Sequence, residues 1–192
     1  PQNRIYRKTL ENALSQNRFK KLQDGADIKI LSARVPQPLG PKSGTVVGMA
    51  TYLLEKKVKQ PVHPKLARHL GFKASVRSVR SCKDPSDLIE LIMASSSTPP
   101  FTPVAKENGR PVLDGGLIDN VPVEAVSDSS GDTLVLLTRQ YPQDTIPNIP
   151  GRTYVQPSQP IPVSKWDYTS PKKVQSAFDL GLRDGNVFAD NH

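Results

Sequence analysis

Leu113-Asp114-Gly115-Gly116-Leu117-Ile118-Asp119-Asn120-Val121-Pro122-Val123 is the stretch from which the rest of the chain is best read. A carboxylate followed by two glycines closes the short apolar run Pro111-Val112-Leu113. Glycine tolerates positive φ and close approach of other groups, so Asp114 is delivered where the backbone turns tightly. Three readings are open. Asp114-Gly115 is a common hairpin-turn pair. Asp114 and Asp119 are hard oxygen donors for a metal, although few further ligands stand nearby. Alternatively, Asp114 is the acid of a nucleophilic site, because a serine is a weak nucleophile until an adjacent base takes its proton.

Outward from this stretch, helical and apolar extended segments alternate, which argues for an α/β layer fold. Upstream, Asp84-Pro85-Ser86-Asp87 is a helix start: Asp84 caps free N–H groups, Pro85 suits the first turn and Asp87 suits the positive end of the dipole. The helix runs from Pro85 to about Ser95 and ends at Thr98-Pro99-Pro100-Phe101-Thr102-Pro103. Glu107-Asn108-Gly109-Arg110 then turns the chain into the strand before Asp114. Earlier still, apolar spacing predicts a helix over 4–19, a buried strand over 27–35, a loop at Gly40-Pro41-Lys42-Ser43-Gly44 and a helix over 45–59. A short helical piece over 64–70 and a strand over 76–81 follow. Downstream, Thr133 to Thr138 is a strand. Residues 141–170 are a proline-rich loop, and a last helix starts at Ser170-Pro171 and ends near Asp184-Gly185. Two regions follow from this, 1–140 and 141–192, with the second packing on the same domain.

At 192 residues the chain holds enough material for one ordinary core. Its 19 prolines and 36 % hydrophobic content point to a globular body with irregular stretches. No apolar run approaches the roughly 20 residues of a membrane span, and no signal peptide opens the chain. Pro1 is not an initiator methionine, so the chain is expected to begin inside a longer protein. Residues 1–80 carry 17 Lys+Arg against 4 acids, and residues 81–192 carry 9 against 14. A basic half favours anionic partners such as phospholipid headgroups, or is simply a set of solvated helix faces. Without the aromatic-plus-basic motif of a nucleic-acid module, no nucleic-acid partner is expected. Cys82 is alone and suits a reducing compartment, so a cytoplasmic location is expected. His63, His69 and His192 show no metal-ligand spacing and no triad-like setting.

The block Ala94-Ser95-Ser96-Ser97-Thr98-Pro99-Pro100-Phe101-Thr102-Pro103-Val104, followed after a short gap by Val112 to Val123, resembles the C-terminal half of patatin-like phospholipases. The later segment Trp166-Asp167-Tyr168-Thr169-Ser170-Pro171 through Gly185 looks like the terminal helix region of bacterial members, so the resemblance spans roughly 25–185. It implies a layered α/β fold, part of a patatin-like domain, with a central mostly parallel sheet flanked by helices. It also implies a serine lipid hydrolase with a Ser-Asp dyad and no metal or organic cofactor. On that match Asp114 is the catalytic acid, Gly115 and Gly116 complete its motif, and Asn120 and Pro122 shape the turn. Ser95, Ser96 and Ser97 match a structural helix end. The family's Gly-x-Ser-x-Gly elbow, which exposes the nucleophile, does not occur in this sequence, and neither does its glycine-rich oxyanion loop. Both precede this region in family order. The resemblance therefore implies a phospholipid or other acyl-lipid substrate, peripheral contact with an anionic membrane surface, and a nucleophile supplied by an N-terminal half that this chain lacks. By itself the chain is expected to be inactive. A non-catalytic lipid- or protein-binding module on the same fold is the alternative.

Overall fold

The computed structural model describes residues 2–37, 39–40, 43–48, 50–51, 62–63, 66–127, 131–164, 167 and 169–191. Two compact units divide the chain, Pro1–Ser129 and Ser130–His192.

The first unit opens with two helices where apolar periodicity predicts one: α1 (Gln2–Ala13) and α2 (Gln16–Asp24). Ser15 causes the break. Its backbone is extended, and its hydroxyl accepts the Arg18 N–H as an N-cap. Apolar spacing carries across such a cap, which is why periodicity alone runs the two together. α2 buries Phe19 against Val79, Cys82, Leu88 and Leu91. The last two belong to a later helix over Pro85–Ser95, which starts as its sequence dictates, with Asp84 accepting the Asp87 N–H at 2.9 Å and Pro85 in the first turn. Burial alone would raise the Asp87 carboxyl. The Lys83 N–H and the Arg77 guanidinium, bonded to it at 3.1 and 3.2 Å, outweigh that and hold it below the ordinary range. Burial and the Asp87 charge push the neighbouring Cys82 thiol up, so it packs as a small neutral group.

The sheet of this unit has the order β2–β1–β4–β3, built from β1 (Lys29–Arg34), β2 (Lys73–Ser78), β3 (Ala105–Glu107) and β4 (Arg110–Asp114). Helices and sheet are mixed as the α/β class requires. All three pairings are antiparallel, however, so the mostly parallel sheet expected here is corrected. The reason is local at β3–β4. Asn108 and Gly109 both have positive φ (50° and 75°), and this two-residue turn can only join antiparallel strands. β1 sits between β2 and β4 and is covered on both faces. Leu31, Ala33 and Val35 pack with Leu113, Phe72, Leu117 and Ile118 on one side, while Ile30 meets the Phe19–Leu88–Leu91 cluster on the other. That double burial explains the unbroken apolar reading of 27–35.

Residues 43–48 and 50–51 are helical, so Ser43 and Gly44 belong to a helix start and not to the expected loop. A Cβ at Gly44 would lie 2.3 Å from Val35, and one at Gly48 would lie 3.0 Å from Leu117. Four residues apart, these glycines let the helix approach the sheet closely. Pro41, Lys42, Pro64 and residues 52–59 of the helix expected over 45–59 lie outside the described residues. The short α3 (Leu66–His69) leads through Gly71 into β2, which begins earlier than expected and gives way to a 3-10 turn at Val79–Ser81. The helix that packs on α2, α4 (Pro85–Ser95), then leads into the β3–β4 hairpin.

The second unit pairs β5 (Thr133–Leu136) with β6 (Arg152–Val155) in parallel. β6 is a strand inside the proline-rich stretch that sequence alone reads as loop throughout. The segment between the strands carries a 3-10 turn at Gln143–Thr145. α5 (Pro171–Asp190) continues past Gly185, the residue expected to end it. A Cβ at Gly181 or Gly185 would meet nothing within 4 Å, so both glycines are open helix-surface positions that stop nothing. Asp184 accepts the Ser158 N–H and hydroxyl at 2.9 and 2.6 Å, tying the loop to the helix. Trp166 and Tyr168 lie outside the described residues. No helix among the described residues is long and apolar enough to cross a membrane.

Candidate active site

Asp114 is the last residue of β4. In the register of the sheet it stands opposite Ser32 on β1, and its N–H donates to the Ser97 carbonyl at 2.8 Å. The end of the strand is thereby joined to the residues that follow α4. The half-buried carboxylate accepts the Gly116 N–H at 2.7 Å, capping a 3-10 turn over Gly115–Leu117. The chain leaves the sheet here, so Asp114-Gly115 is not the hairpin turn that its sequence allows.

Each glycine has its own steric reason. A Cβ at Gly115 would lie 2.2 Å from the Leu31 carbonyl oxygen, so only glycine lets the turn press against β1. A Cβ at Gly116 would lie 3.0 Å from the Asp114 carboxylate and 3.2 Å from the Asn120 side-chain oxygen. The bare backbone of Gly116 thus fits between the two side chains and offers its N–H to Asp114. Pro122 stands at the start of the next 3-10 turn, Val123–Val126, and Asn120 leans back toward Gly116.

The serines near Asp114 are engaged with other groups. Ser32 is fully buried and donates to the Glu107 carboxylate at 3.1 Å. Ser95 donates to the Leu31 carbonyl at 2.7 Å, tying α4 to β1. Ser97, also fully buried, donates to the Pro103 carbonyl at 2.9 Å and accepts the Ala105 N–H. Ser96 is the C-cap residue of α4. These residues hold the framework beneath the acid.

One contact goes beyond the sequence reading. His63 Nδ1 lies 2.9 Å from both carboxylate oxygens of Asp119, whose side chain is 4 % exposed. A histidine expected to have no triad-like setting faces a buried carboxylate in the manner of an Asp-His pair. Asp119 also accepts the Val121 N–H at 2.9 Å. Its oxygens thus face His63 and the Val121 N–H. Among the described residues no group of three or more His, Cys, Asp or Glu side chains could hold a metal. The two partners are 56 positions apart, so no local pattern announces them. The one available signal is Asp119 itself: a carboxylate inside the apolar run from Leu117 to Val123 needs a partner once buried.

Asp114 is thus a strand-end aspartate followed by a sterically required glycine, Gly115, and by Gly116, whose N–H it accepts. The family model for patatin-like phospholipase matches residues 2–127. The chain belongs to the patatin-like phospholipase family. The match takes in the four-stranded sheet, α1 to α4 and the whole Asp114 turn of this patatin-like chain, and β5, β6 and α5 lie beyond it. No curated protein matches the sequence significantly. Membership of this family carries a lipid-hydrolase type of function.

Proposed function

We propose that this patatin-like chain supplies the acid of a Ser-Asp dyad in a lipid acyl hydrolase, and that Asp114 is that acid. The observation that carries the reading is the Asp114 turn. A carboxylate at a strand end, oriented by the Gly116 N–H, sits on a backbone that Gly115 alone lets pack against β1. Such a group is preorganised to take a proton from a hydroxyl brought to it.

In the proposed reaction Asp114 removes the proton of the nucleophilic serine as its oxygen attacks the ester carbonyl of a phospholipid or other acyl lipid. The acyl carbon–oxygen bond to the alcohol breaks, and Asp114 returns the proton to the departing alcohol. A water, deprotonated by the same carboxylate, then attacks the acyl-serine, releasing the fatty acid and restoring both groups. The sequence contains no Gly-x-Ser-x-Gly, and Ser32, Ser95 and Ser97 are bound to other groups. On this reading the serine lies outside residues 1–192 and the chain alone is inactive. The basic half of the sequence would hold the enzyme at anionic lipid surfaces. The missing elbow also favours a second reading, a non-catalytic lipid- or protein-binding module on the same fold.

Hydrolysis of phospholipid and p-nitrophenyl acyl esters by the full-length protein separates the two. The dyad requires turnover in the wild type and its loss in Asp114→Asn with the fold unchanged. Full activity in that variant rejects Asp114, and no turnover in any form favours the binding module.

A further inference from the structure

The pair His63–Asp119 is not used by the reaction proposed above. Its surroundings argue against a purely architectural role. The Val121 N–H needs only a neutral acceptor, which an asparagine provides as well as an aspartate. A carboxylate that is 4 % exposed carries a desolvation cost that an amide does not. The extra charge has one visible use, its two 2.9 Å contacts with His63 Nδ1. His63 arrives from a distant part of the sequence and is itself only 25 % exposed.

A short bonded path leads from this pair to Asp114. The Asp119 N–H donates to the Gly115 carbonyl at 3.0 Å, beside the Ile118 N–H bond to the same oxygen at 2.9 Å. Gly115 is the residue after Asp114 and is pressed against Leu31. Gly116 follows, with its N–H on the Asp114 carboxylate. Asn120, directly after Asp119, places its side-chain oxygen 3.2 Å from where a Gly116 Cβ would be. A shift of Asp119 thus bears directly on Gly115, and through the chain on Gly116, whose N–H orients Asp114.

We propose that His63 and Asp119 form a positioning pair that fixes the Gly115-Gly116 turn and, through it, the Asp114 carboxylate. This rests on the assignment of Asp114 as the acid of the dyad. His63 is a positioning residue: it acts through Asp119 and the turn and does not exchange a proton with substrate. A displacement of about 1 Å in a catalytic group can cost about 100-fold in rate, so holding this turn bears directly on turnover.

The test uses the full-length protein with His63→Ala, His63→Asn and Asp119→Asn, reading kcat and KM on an acyl ester and amide hydrogen exchange at Gly116 by NMR. In His63→Asn the introduced amide offers an N–H donor near the place of Nδ1–H. The proposal expects His63→Ala to lower kcat about 10- to 100-fold with KM nearly unchanged, and to speed Gly116 exchange about tenfold or more. His63→Asn should recover most of both, and Asp119→Asn should fall between. Wild-type kcat and wild-type Gly116 exchange in a folded His63→Ala overturn the proposal. So does a loss that His63→Asn fails to recover, since that marks a merely structural histidine. If His63→Ala does not fold, the same readouts on His63→Asn and Asp119→Asn decide: Gly116 exchange and kcat unaltered in Asp119→Asn reject the pair. If Asp114→Asn proves fully active, the dyad fails, and Gly116 exchange alone then upholds or rejects the positioning of the turn.

Discussion

Asp114 and Asp119 belong to one glycine-led turn, yet their surroundings differ in kind. Asp119 is 4 % exposed, faces His63 with both oxygens and accepts a further N–H from Val121. Asp114 is half-buried at the end of β4, and its bond from the Gly116 N–H is made within its own turn. The first carboxylate is tied to a distant part of the chain. The second, which accepts an N–H from its own turn, is the less buried of the two. A turn that must present one acid in a fixed pose can use its neighbour as the anchor, and that division of work is what the two surroundings teach.

The contrast is sharpest when each acid is altered alone. Asp114→Asn should lower ester turnover by about 10³-fold while the midpoint of thermal unfolding stays within about 2 °C of wild type. Asp119→Ala should weigh on stability first, with a smaller loss of turnover through the displaced turn. It strips the acceptor from the Val121 N–H and from His63, and is expected to destabilise by about 2–3 kcal/mol. Equal stability losses in the two variants, measured by denaturant titration, would erase the distinction. Next in size is Gly115→Ala. Its Cβ would lie 2.2 Å from the Leu31 carbonyl, and overpacking of this kind costs about 1–3 kcal/mol. A neutral result in urea unfolding would mean the turn is not pressed on β1.

Smaller effects mark the two carboxylates at the start of α4. Asp84→Ala removes the N-cap of α4 and should cost about 1 kcal/mol with turnover unaffected. Asp87 gives the smallest change. Its carboxyl lies below the ordinary value of 3.8 in the folded chain, so its stabilisation is fully present above that value. It is lost as pH falls through the lowered one. Solvent screening of this partly exposed side chain limits the effect to about 0.5 kcal/mol. The gap between wild type and Asp87→Asn in urea unfolding at neutral pH should therefore close in strong acid. A gap that widens there contradicts the sign.

Much of this is legible because the signals are local. Asp84 and Pro85 specify the start of α4 within a few residues, and Asn108-Gly109 specifies the β3–β4 hairpin. The Asp-Gly-Gly block is legible through its resemblance to a known motif, although the reason for Gly115, the Leu31 carbonyl, lies on β1. Sequence reading fails where the cause is distant or masked. Ser15 interrupts a stripe whose apolar rhythm runs on, so α1 and α2 read as one helix. Gly44 reads as a loop residue because its reason, the Val35 side chain, lies on another element. β6 spans only four residues among prolines and depends on β5 for its bonds. Pairing direction across β1 depends on how residues 35–72 return, which no window of sequence displays. The partnership of His63 with Asp119 is hidden for the same reason.

The central claim is that Asp114 activates a serine, and the rate at which a fluorophosphonate labels the full-length protein tests it without complications from product release. The account predicts labelling at a single serine, slowed in Asp114→Asn by about the factor lost in turnover, about 10³. Labelling of Asp114→Asn at the wild-type rate would contradict it.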